Sequence, residues 1–194
     1  FEEVLDEHPV SIQVNGQWQT FPNAKAAEEA SYEEYKANLR RNAKNFRITD
    51  EHLGEGGPKA KFQANVNAIR LLKELEAAGQ QASPEQQEVL SRYVGWGGLS
   101  DAFDPEKPAW ALEYAQLKEL LTPEEYAAAR SSTLNAHYTS PTVIQAIYEA
   151  VDRMGFETGN ILEPSMGVGN FFGMLPEGMR NSRLYGVELD SISG

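Results

Sequence analysis

The first fifty residues change from an alternating to a helical pattern of apolar positions. Between residues 10 and 21, apolar side chains alternate with polar ones around Asn15-Gly16, a two-residue turn signal that predicts a β-hairpin. Trp18 is expected to cover one face of this hairpin. Residues 24–46 are rich in alanine and glutamate and predict a helix that is acidic early and basic late. Its basic end either touches nucleic acid or is a solvated helix face.

Four more helices are predicted between residues 58 and 133. Pro58 opens an amphipathic helix that Gly79 closes. A capping box at residues 83–86 begins the next helix, and two further helices are predicted over residues 108–121 and from Thr122 to about Ser131. The pattern therefore predicts a hairpin over residues 1–23 and a helical domain over residues 24–133.

Two features of the helical segment have more than one interpretation. The glycine-rich loop before Pro58, with Lys59 and Lys61 beside it, is either a phosphate cradle or a plain connection between helices. Trp96, held between glycines in the run Gly95–Gly98, is either a core side chain or a platform on which a base stacks. No role is predicted for the glycines of that run.

Residues 134–194 predict the first part of a Rossmann-like, doubly wound α/β domain. A helical pattern begins at Pro141 and places several large apolar residues on one face, and short apolar runs follow at residues 161–162 and 183–187. Each run ends in a carboxylate, Glu163 or Glu188. The residues expected on one face of the helix are Val143, Ile144, Ile147, Tyr148, Val151 and Met154.

Composition narrows the classes of function. The 194 residues are 41% hydrophobic, and no apolar run approaches the ~18 residues of a membrane span. With no cysteine there is no disulfide or thiolate metal site, which agrees with a cytoplasmic setting, and the three scattered histidines predict no metal site. The net charge of −12 argues against strong DNA binding by this chain alone, because nonspecific DNA affinity comes from cationic contacts with phosphates.

The turn after Glu163 predicts a nucleoside cofactor. Gly167 and Gly169 give a tight turn that a ligand can approach closely, and Glu188 at the end of the next strand is placed to accept hydrogen bonds from ribose hydroxyls. A dinucleotide site would carry a third glycine where Phe172 stands, and Glu163 would repel a pyrophosphate. S-adenosylmethionine, which has an ammonium and a sulfonium but no phosphate, is therefore favoured over a dinucleotide. A glycine turn without a ligand is the remaining interpretation.

The segment before the helical pattern that begins at Pro141 supports a ligand with a carboxylate. Thr139 or Ser140 is expected to cap the helix, with Pro141 in its first turn. A helix N-terminus favours anions, and the methionine part of the cofactor ends in a carboxylate. An ordinary capped helix is the alternative.

Three motifs resemble those of the N6-adenine DNA methyltransferases. They are His137-Tyr138-Thr139-Ser140-Pro141, the glycine loop Glu163-Pro164-Ser165-Met166-Gly167-Val168-Gly169-Asn170-Phe171, and Tyr185-Gly186-Val187-Glu188-Leu189-Asp190. Their order is that of the class in which the threonine-proline motif precedes the glycine loop. The resemblance implies that the first two motifs hold the amino-acid end of S-adenosylmethionine, with Glu163 facing its amine, Phe171 packing beside it and Glu188 binding the ribose. The cofactor-binding residues so predicted are His137, Tyr138, Thr139, Glu163, Pro164, Gly167, Gly169, Phe171 and Glu188.

Two earlier runs narrow the resemblance. Leu53–Phe62 and Tyr93–Leu99 are similar to segments of the large methyltransferase–helicase fusion proteins of conjugative transposons, plasmids and phages. That resemblance implies DNA as a partner, mainly through other parts of such a protein. The oligomeric state is not predicted.

The catalytic motif of the resembled family is missing from this sequence. Those enzymes hold the flipped adenine with an Asn/Asp-Pro-Pro-aromatic loop, and Asp104-Pro105-Glu106-Lys107 lacks the second proline and the aromatic residue. No catalytic residue is therefore predicted, and the chain, which begins with Phe1, is expected to be an inactive N-terminal fragment of an adenine methyltransferase. There are two rival hypotheses. One is a non-catalytic scaffold that serves a helicase, and the other is a dinucleotide-dependent oxidoreductase.

Overall fold

A computed structural model describes residues 8–42 and 46–194, with the side chains of residues 35–42 left undescribed. These residues are mixed α/β and fall into two compact units, which divide between residues 44 and 45. The predicted segments, with boundaries at residues 23 and 133, stay a prediction. None of the helices in the described ranges is long and apolar enough to cross a membrane.

The first unit is a β-hairpin packed with one helix. Its antiparallel strands are β1 (Val10–Val14) and β2 (Gln17–Phe21), paired so that Val14 faces Gln17. Asn15 and Gly16 both have positive φ angles, 51° and 75°, which is the conformation that the Asn-Gly turn signal predicts. Helix α1 (Ala24–Asn42) follows, so the predicted hairpin and helix are confirmed, while residues 43–45 of the predicted helix lie outside the described residues. The prediction for Trp18 is wrong, since its side chain is 71% exposed.

The second unit begins with four helices around an aromatic core. They are α2 (Pro58–Ala78), α3 (Pro84–Ser91), α4 (Ala111–Leu120) and α5 (Pro123–Ser132). Gly79 ends α2 in the left-handed conformation, and Ser83 forms the predicted capping box of α3. Thr122 forms a second capping box at the start of α5. Short 3₁₀ turns at Ser100–Phe103 and Pro108–Trp110 connect α3 to α4, where one continuous helix over residues 108–121 was predicted. The largest core side chains are Phe62, Ile69, Tyr93, Trp96, Phe103, Trp110, Leu117 and Tyr126.

The structure gives Lys59 partners and buries Trp96. The Lys59 ammonium pairs with Glu113 at 2.7 Å and lies 4.0 Å from the centre of the Trp110 ring, so it ties α2 to α4. The two interpretations of the glycine loop with Lys61 stay predictions. Trp96 is 1% exposed and meets Phe103 edge to face, which makes it a core side chain.

A two-stranded parallel sheet follows the helices. Helix α6 (Pro141–Arg153) precedes strand β3 (Asn160–Glu163), and a single helical turn, α7 (Asn170–Gly173), and a 3₁₀ turn at Glu177–Met179 lead to β4 (Arg183–Gly186). Strands β3 and β4 pair in parallel with Glu163 opposite Gly186. The predicted strand–turn–strand order is confirmed, and the wider doubly wound sheet stays a prediction.

One face of α6 packs against this sheet. Ile144 and Tyr148 are buried there, with Ile161 and Leu184 from the two strands beside them. Val143, Ile147 and Met154, which the helical pattern placed on the same face, are exposed.

Candidate cofactor site

The carboxyl ends of β3 and β4 meet at one edge of the sheet and border a cleft of about 520 Å³. Parallel pairing continues beyond the strands, because the Val187 N–H donates to the Glu163 carbonyl at 3.0 Å. Glu163 and Glu188 therefore stand at the same edge, and both line the cleft. The opposite wall comes from the end of α5 and from the segment before α6, including Ser131, Ser132, Asn135, Ala136, His137, Tyr138 and Thr139.

Most of the sequence-predicted site residues line this cleft together, although nothing in the geometry assigns them a ligand. Pro164 is exposed and lies outside it, while Gly169 lines a second, more apolar cleft of about 410 Å³. The predicted residues that line the first cleft are His137, Tyr138, Thr139, Glu163, Gly167, Phe171 and Glu188.

The turn after β3 requires its glycines. Gly167 and Gly169 have φ angles of 54° and 78°, which a residue with a Cβ adopts only under strain. The Met166 N–H donates to the Val187 carbonyl at 3.0 Å, and the Gly169 N–H to the Met166 carbonyl at 2.8 Å. The sheet and the turn thus hold each other, and the turn starts helix α7 directly.

Glu163 is the carboxylate of this edge that has no partner. Its side chain makes no hydrogen bond or ion pair with any residue that the structure describes. Its charge lies near the Tyr148 hydroxyl, which donates to the Phe171 carbonyl at 2.7 Å. Burial first, and then the charge of Glu163, raises the pKa of Tyr148 to about 12, so Tyr148 stays a neutral donor. Glu163 is therefore the acceptor that this edge offers to a cation.

Glu188 is engaged with the backbone of the site. Its carboxylate accepts hydrogen bonds from the N–H groups of Gly167 at 2.8 Å, Leu189 at 2.8 Å and Asp190 at 2.9 Å. Burial favours the protonated form, but these three bonds outweigh it, and the pKa of Glu188 lies below its usual value. Since a carboxylate has about four acceptor positions, roughly one remains for a ribose hydroxyl while all three bonds persist.

The ring of Tyr138 covers the glycine turn. A Cβ placed on Gly167 would lie 2.0 Å from Cε1 of Tyr138, and a Cβ on Gly95 would lie 2.4 Å from Cε2 of the same ring. The Tyr138 hydroxyl donates to Ser193 Oγ at 3.0 Å. Burial, reinforced by the charges of Asp190 and Glu188 and opposed by the Ser193 bond, raises the pKa of Tyr138 to about 12. Tyr138 is thus held between two glycines, and a ligand reaching the Gly167 backbone from that side has to displace its ring.

The start of α6 differs in detail from the predicted capped helix. Ser140 occupies the N-cap position, but no side chain donates or accepts a capping hydrogen bond there. Thr139 lies in the cleft, and the exposed Ser140 does not line it. The start of α6 is therefore a helix end next to the cleft whose backbone N–H groups receive no side-chain capping hydrogen bond.

Sequence reasoning missed several residues of the cleft. Gly95, Asp190 and Ser193 line it. Gly95 and Ser193 both lie against Tyr138, which is distant in the chain, and Asp190 is hydrogen-bonded to its neighbours Glu188 and Ser193. Asn170, which is 8% exposed, lines both clefts, and its side-chain oxygen has no hydrogen-bond partner among the described residues. Such a buried, unpaired acceptor suits a donor supplied by a ligand.

The charges of the cleft are of one sign. Glu163, Glu188 and Asp190 line it, and its lining includes neither lysine nor arginine. A phosphate would lack the cationic partners that phosphate sites use, whereas an ammonium or sulfonium would be attracted. The residues present thus fit a cationic nucleoside in charge and size, and they fit it less well where Tyr138 covers Gly167 and where Glu188 is already hydrogen-bonded.

Comparison with known proteins gives one distant similarity. No protein-family profile matches the chain, and no solved structure matches it. Over 141 residues the chain is 25% identical to the "Defense against restriction protein B" of Escherichia phage P1. The alignment covers 73% of this chain and 5% of that protein, so the chain spans a small part of the length of its relative.

Proposed function

We propose that this chain is the cofactor-binding part of an S-adenosylmethionine-dependent DNA adenine-N6 methyltransferase of the helicase-fused type. The observation that carries the proposal is the acidic cleft in which Glu163, Gly167 and Glu188 meet the His137–Thr139 segment, with no cationic side chain in its lining. When bound, S-adenosylmethionine supplies a methyl group on a positively charged sulfur. An acidic cleft favours that ligand over NAD or ATP, whose phosphates it would repel.

In this proposal the residues of the chain bind and orient the cofactor. Glu163, which has no partner, takes the ammonium group, and Thr139 with the uncapped start of α6 takes the carboxylate. Glu188 offers its remaining acceptor position to the ribose, and its three backbone bonds keep the Gly167 turn in place. No residue of the chain is proposed to act on the target base, because the Asn/Asp-Pro-Pro-aromatic motif does not occur in the sequence.

The phage relative is named for defence against restriction. That name does not specify a chemistry, and we propose methylation of adenine as one that protects DNA from restriction endonucleases. The phage source also agrees with the proposed mobile-element setting. We propose DNA as the partner of the whole protein to which such a segment belongs.

A second candidate function is a non-catalytic scaffold with a methyltransferase-like fold. It is favoured by the Tyr138 ring over Gly167 and by the engaged carboxylate of Glu188, because both features close the turn in the absence of a ligand. In that case the cleft edge would serve contacts with other protein segments rather than a nucleoside.

Isothermal titration calorimetry on the purified chain separates these functions. S-adenosylhomocysteine, which keeps the ammonium and the ribose, is expected to bind, and NAD is expected to give no heat of binding. Glu163→Gln should weaken binding, since it removes the charge that faces the ammonium, whereas Glu149→Gln, on the exposed side of α6, should not. Absence of binding by the unmodified chain would favour the scaffold, and binding of NAD would favour an oxidoreductase.

A further inference from the structure

The Gly95–Gly98 run is fixed from within the helical core. Its Trp96 side chain is buried, with ring centres 6.0 Å from Phe62 and 5.3 Å from Phe103. Asn65 of α2, which is fully buried, accepts from the Val94 N–H at 2.9 Å and donates to the Gly95 carbonyl at 2.6 Å. A buried amide that bonds both a donor and an acceptor of one loop fixes the position of that backbone.

The other side of the same run binds the segment that precedes α6. The Gly97 N–H donates to the Ala136 carbonyl at 3.1 Å, and the Gly98 N–H donates to the Thr133 carbonyl at 3.0 Å. A Cβ on Gly97 would lie 2.2 Å from the Ala136 oxygen and 2.7 Å from His137 Nδ1. Because the nearest atom belongs to the backbone, a side chain at Gly97 would have to move the segment itself.

We propose that Gly95 and Gly97 position the cofactor-binding segment His137–Thr139, so that the helical core sets one wall of the cofactor cleft. Gly97 sets the distance of the segment from the core, and Gly95 makes room for one edge of the Tyr138 ring, whose opposite edge lies against Gly167. The inference rests on the proposed function, since it gives these two glycines a role in binding the same cofactor. It makes Gly95 and Gly97 positioning residues that act through His137, Tyr138 and Thr139.

The chain offers matched glycines that separate displacement from strain. Gly97 does not have a positive φ angle, so Gly97→Ala introduces only the clash with residues 136–137. Gly98 has a φ of 73° and nothing within 4 Å of an added Cβ, so Gly98→Ala introduces only backbone strain. Gly178→Ala meets neither condition and is the neutral control.

Two measurements on these variants test the proposal. The first is the dissociation constant for S-adenosylhomocysteine by calorimetry, at a temperature where melting curves show every variant to be folded. The second is the set of backbone amide resonances of His137, Tyr138 and Thr139 in ¹H–¹⁵N spectra. Gly97→Ala should weaken binding on the order of tenfold or more, as expected when a binding group is misplaced by about 1 Å, and should shift those resonances. Gly98→Ala should lower the melting temperature while leaving both readouts close to those of the unmodified chain.

Each outcome bears on a different claim. Tight binding by Gly97→Ala overturns the positioning role and leaves the proposed function standing. An equal loss of affinity in Gly97→Ala and Gly98→Ala also overturns the positioning role, because it would mean a general effect of instability. If the unmodified chain does not bind the nucleoside, the proposed function fails and the role in cofactor binding fails with it. In that case the amide resonances still show whether Gly97 fixes the segment.

Discussion

Replacing Gly167 with alanine tests the packing at the centre of the cleft. The substitution adds a methyl group at a φ of 54°, and that methyl would lie 2.0 Å from Cε1 of the Tyr138 ring. The left-handed conformation costs an alanine about 1–2 kcal/mol. Forcing a methyl into a filled space costs a further amount of about 1–3 kcal/mol. Gly167→Ala is therefore expected to lower the free energy of unfolding by about 2–5 kcal/mol, out of a total of about 5–15 kcal/mol for a typical domain.

Gly155→Ala is the matched control for the backbone term. Gly155 has a φ of 84° and no atom within 4 Å of an added Cβ, so alanine there meets strain without a clash. The two free energies of unfolding are measured by urea denaturation followed by circular dichroism. Gly167→Ala should cost about 1–3 kcal/mol more than Gly155→Ala, because the clash is present in only one of them.

A double-mutant cycle identifies the clashing group. In a Tyr138→Ala background the ring is gone, so adding Gly167→Ala should then cost no more than Gly155→Ala does in the same background. Equal costs for Gly167→Ala and Gly155→Ala in the unmodified chain would refute the packing of Tyr138 on the glycine turn.

Three other predictions concern the same region. Asn65→Ala should lower the free energy of unfolding by about 2–4 kcal/mol, because it leaves the Val94 N–H and the Gly95 carbonyl unpaired in the core, and chemical denaturation measures the loss. Glu188→Gln should lower the free energy of unfolding by about 2 kcal/mol, because glutamine has one acceptor oxygen where the carboxylate has two. In the unmodified chain the backbone donors, including the Gly167 N–H, are shared between both oxygens. Because the pKa of Glu188 is lowered, its contribution to the free energy of unfolding is present above the usual pKa of 4.5 and is lost as the pH falls through the lowered pKa. Acid denaturation curves of the unmodified chain and of Glu188→Gln should therefore converge below that lowered pKa. Tritium transfer from labelled S-adenosylmethionine to DNA should stay at background with this chain alone. Incorporation would contradict the prediction that a chain without a base-holding motif is inactive.

Local signals in the sequence predicted most of the secondary structure. The Asn15-Gly16 turn, the capping box at Ser83 and the Gly79 helix end each act within a few residues, and each is confirmed. These signals are reliable because the hydrogen bonds they describe join neighbours in the chain.

Predictions that needed tertiary packing were less accurate. Trp18 is exposed because a two-stranded hairpin buries little on its open face. Helix α6 carries a wide apolar stripe, but the sheet covers only the part with Ile144 and Tyr148, so Val143 and Ile147 remain exposed. The period of a helix predicts which residues share a side, and it does not predict how much of that side a neighbour covers.

The sequence indicated which residues lie at the candidate site better than it indicated the contacts between them. The parallel pairing of β3 with β4 brings Glu163 and Glu188 to one edge, as the strand–turn–strand pattern predicted. The seating of Tyr138 between Gly95 and Gly167 joins segments far apart in the chain, and no local pattern encodes it. The hydrogen bonds from backbone N–H groups to the Glu188 carboxylate likewise form only in the folded sheet edge. They occupy carboxylate acceptor positions that were predicted from the sequence to bind the ribose hydroxyls.

A crystal structure of the chain with S-adenosylhomocysteine tests the central claim most directly. We expect the nucleoside in the acidic cleft, with its ammonium within hydrogen-bonding distance of the Glu163 carboxylate and a ribose hydroxyl on Glu188. A cleft that still has Tyr138 against Gly167 and contains no nucleoside at saturating concentration, or a nucleoside bound elsewhere on the chain, would contradict the account.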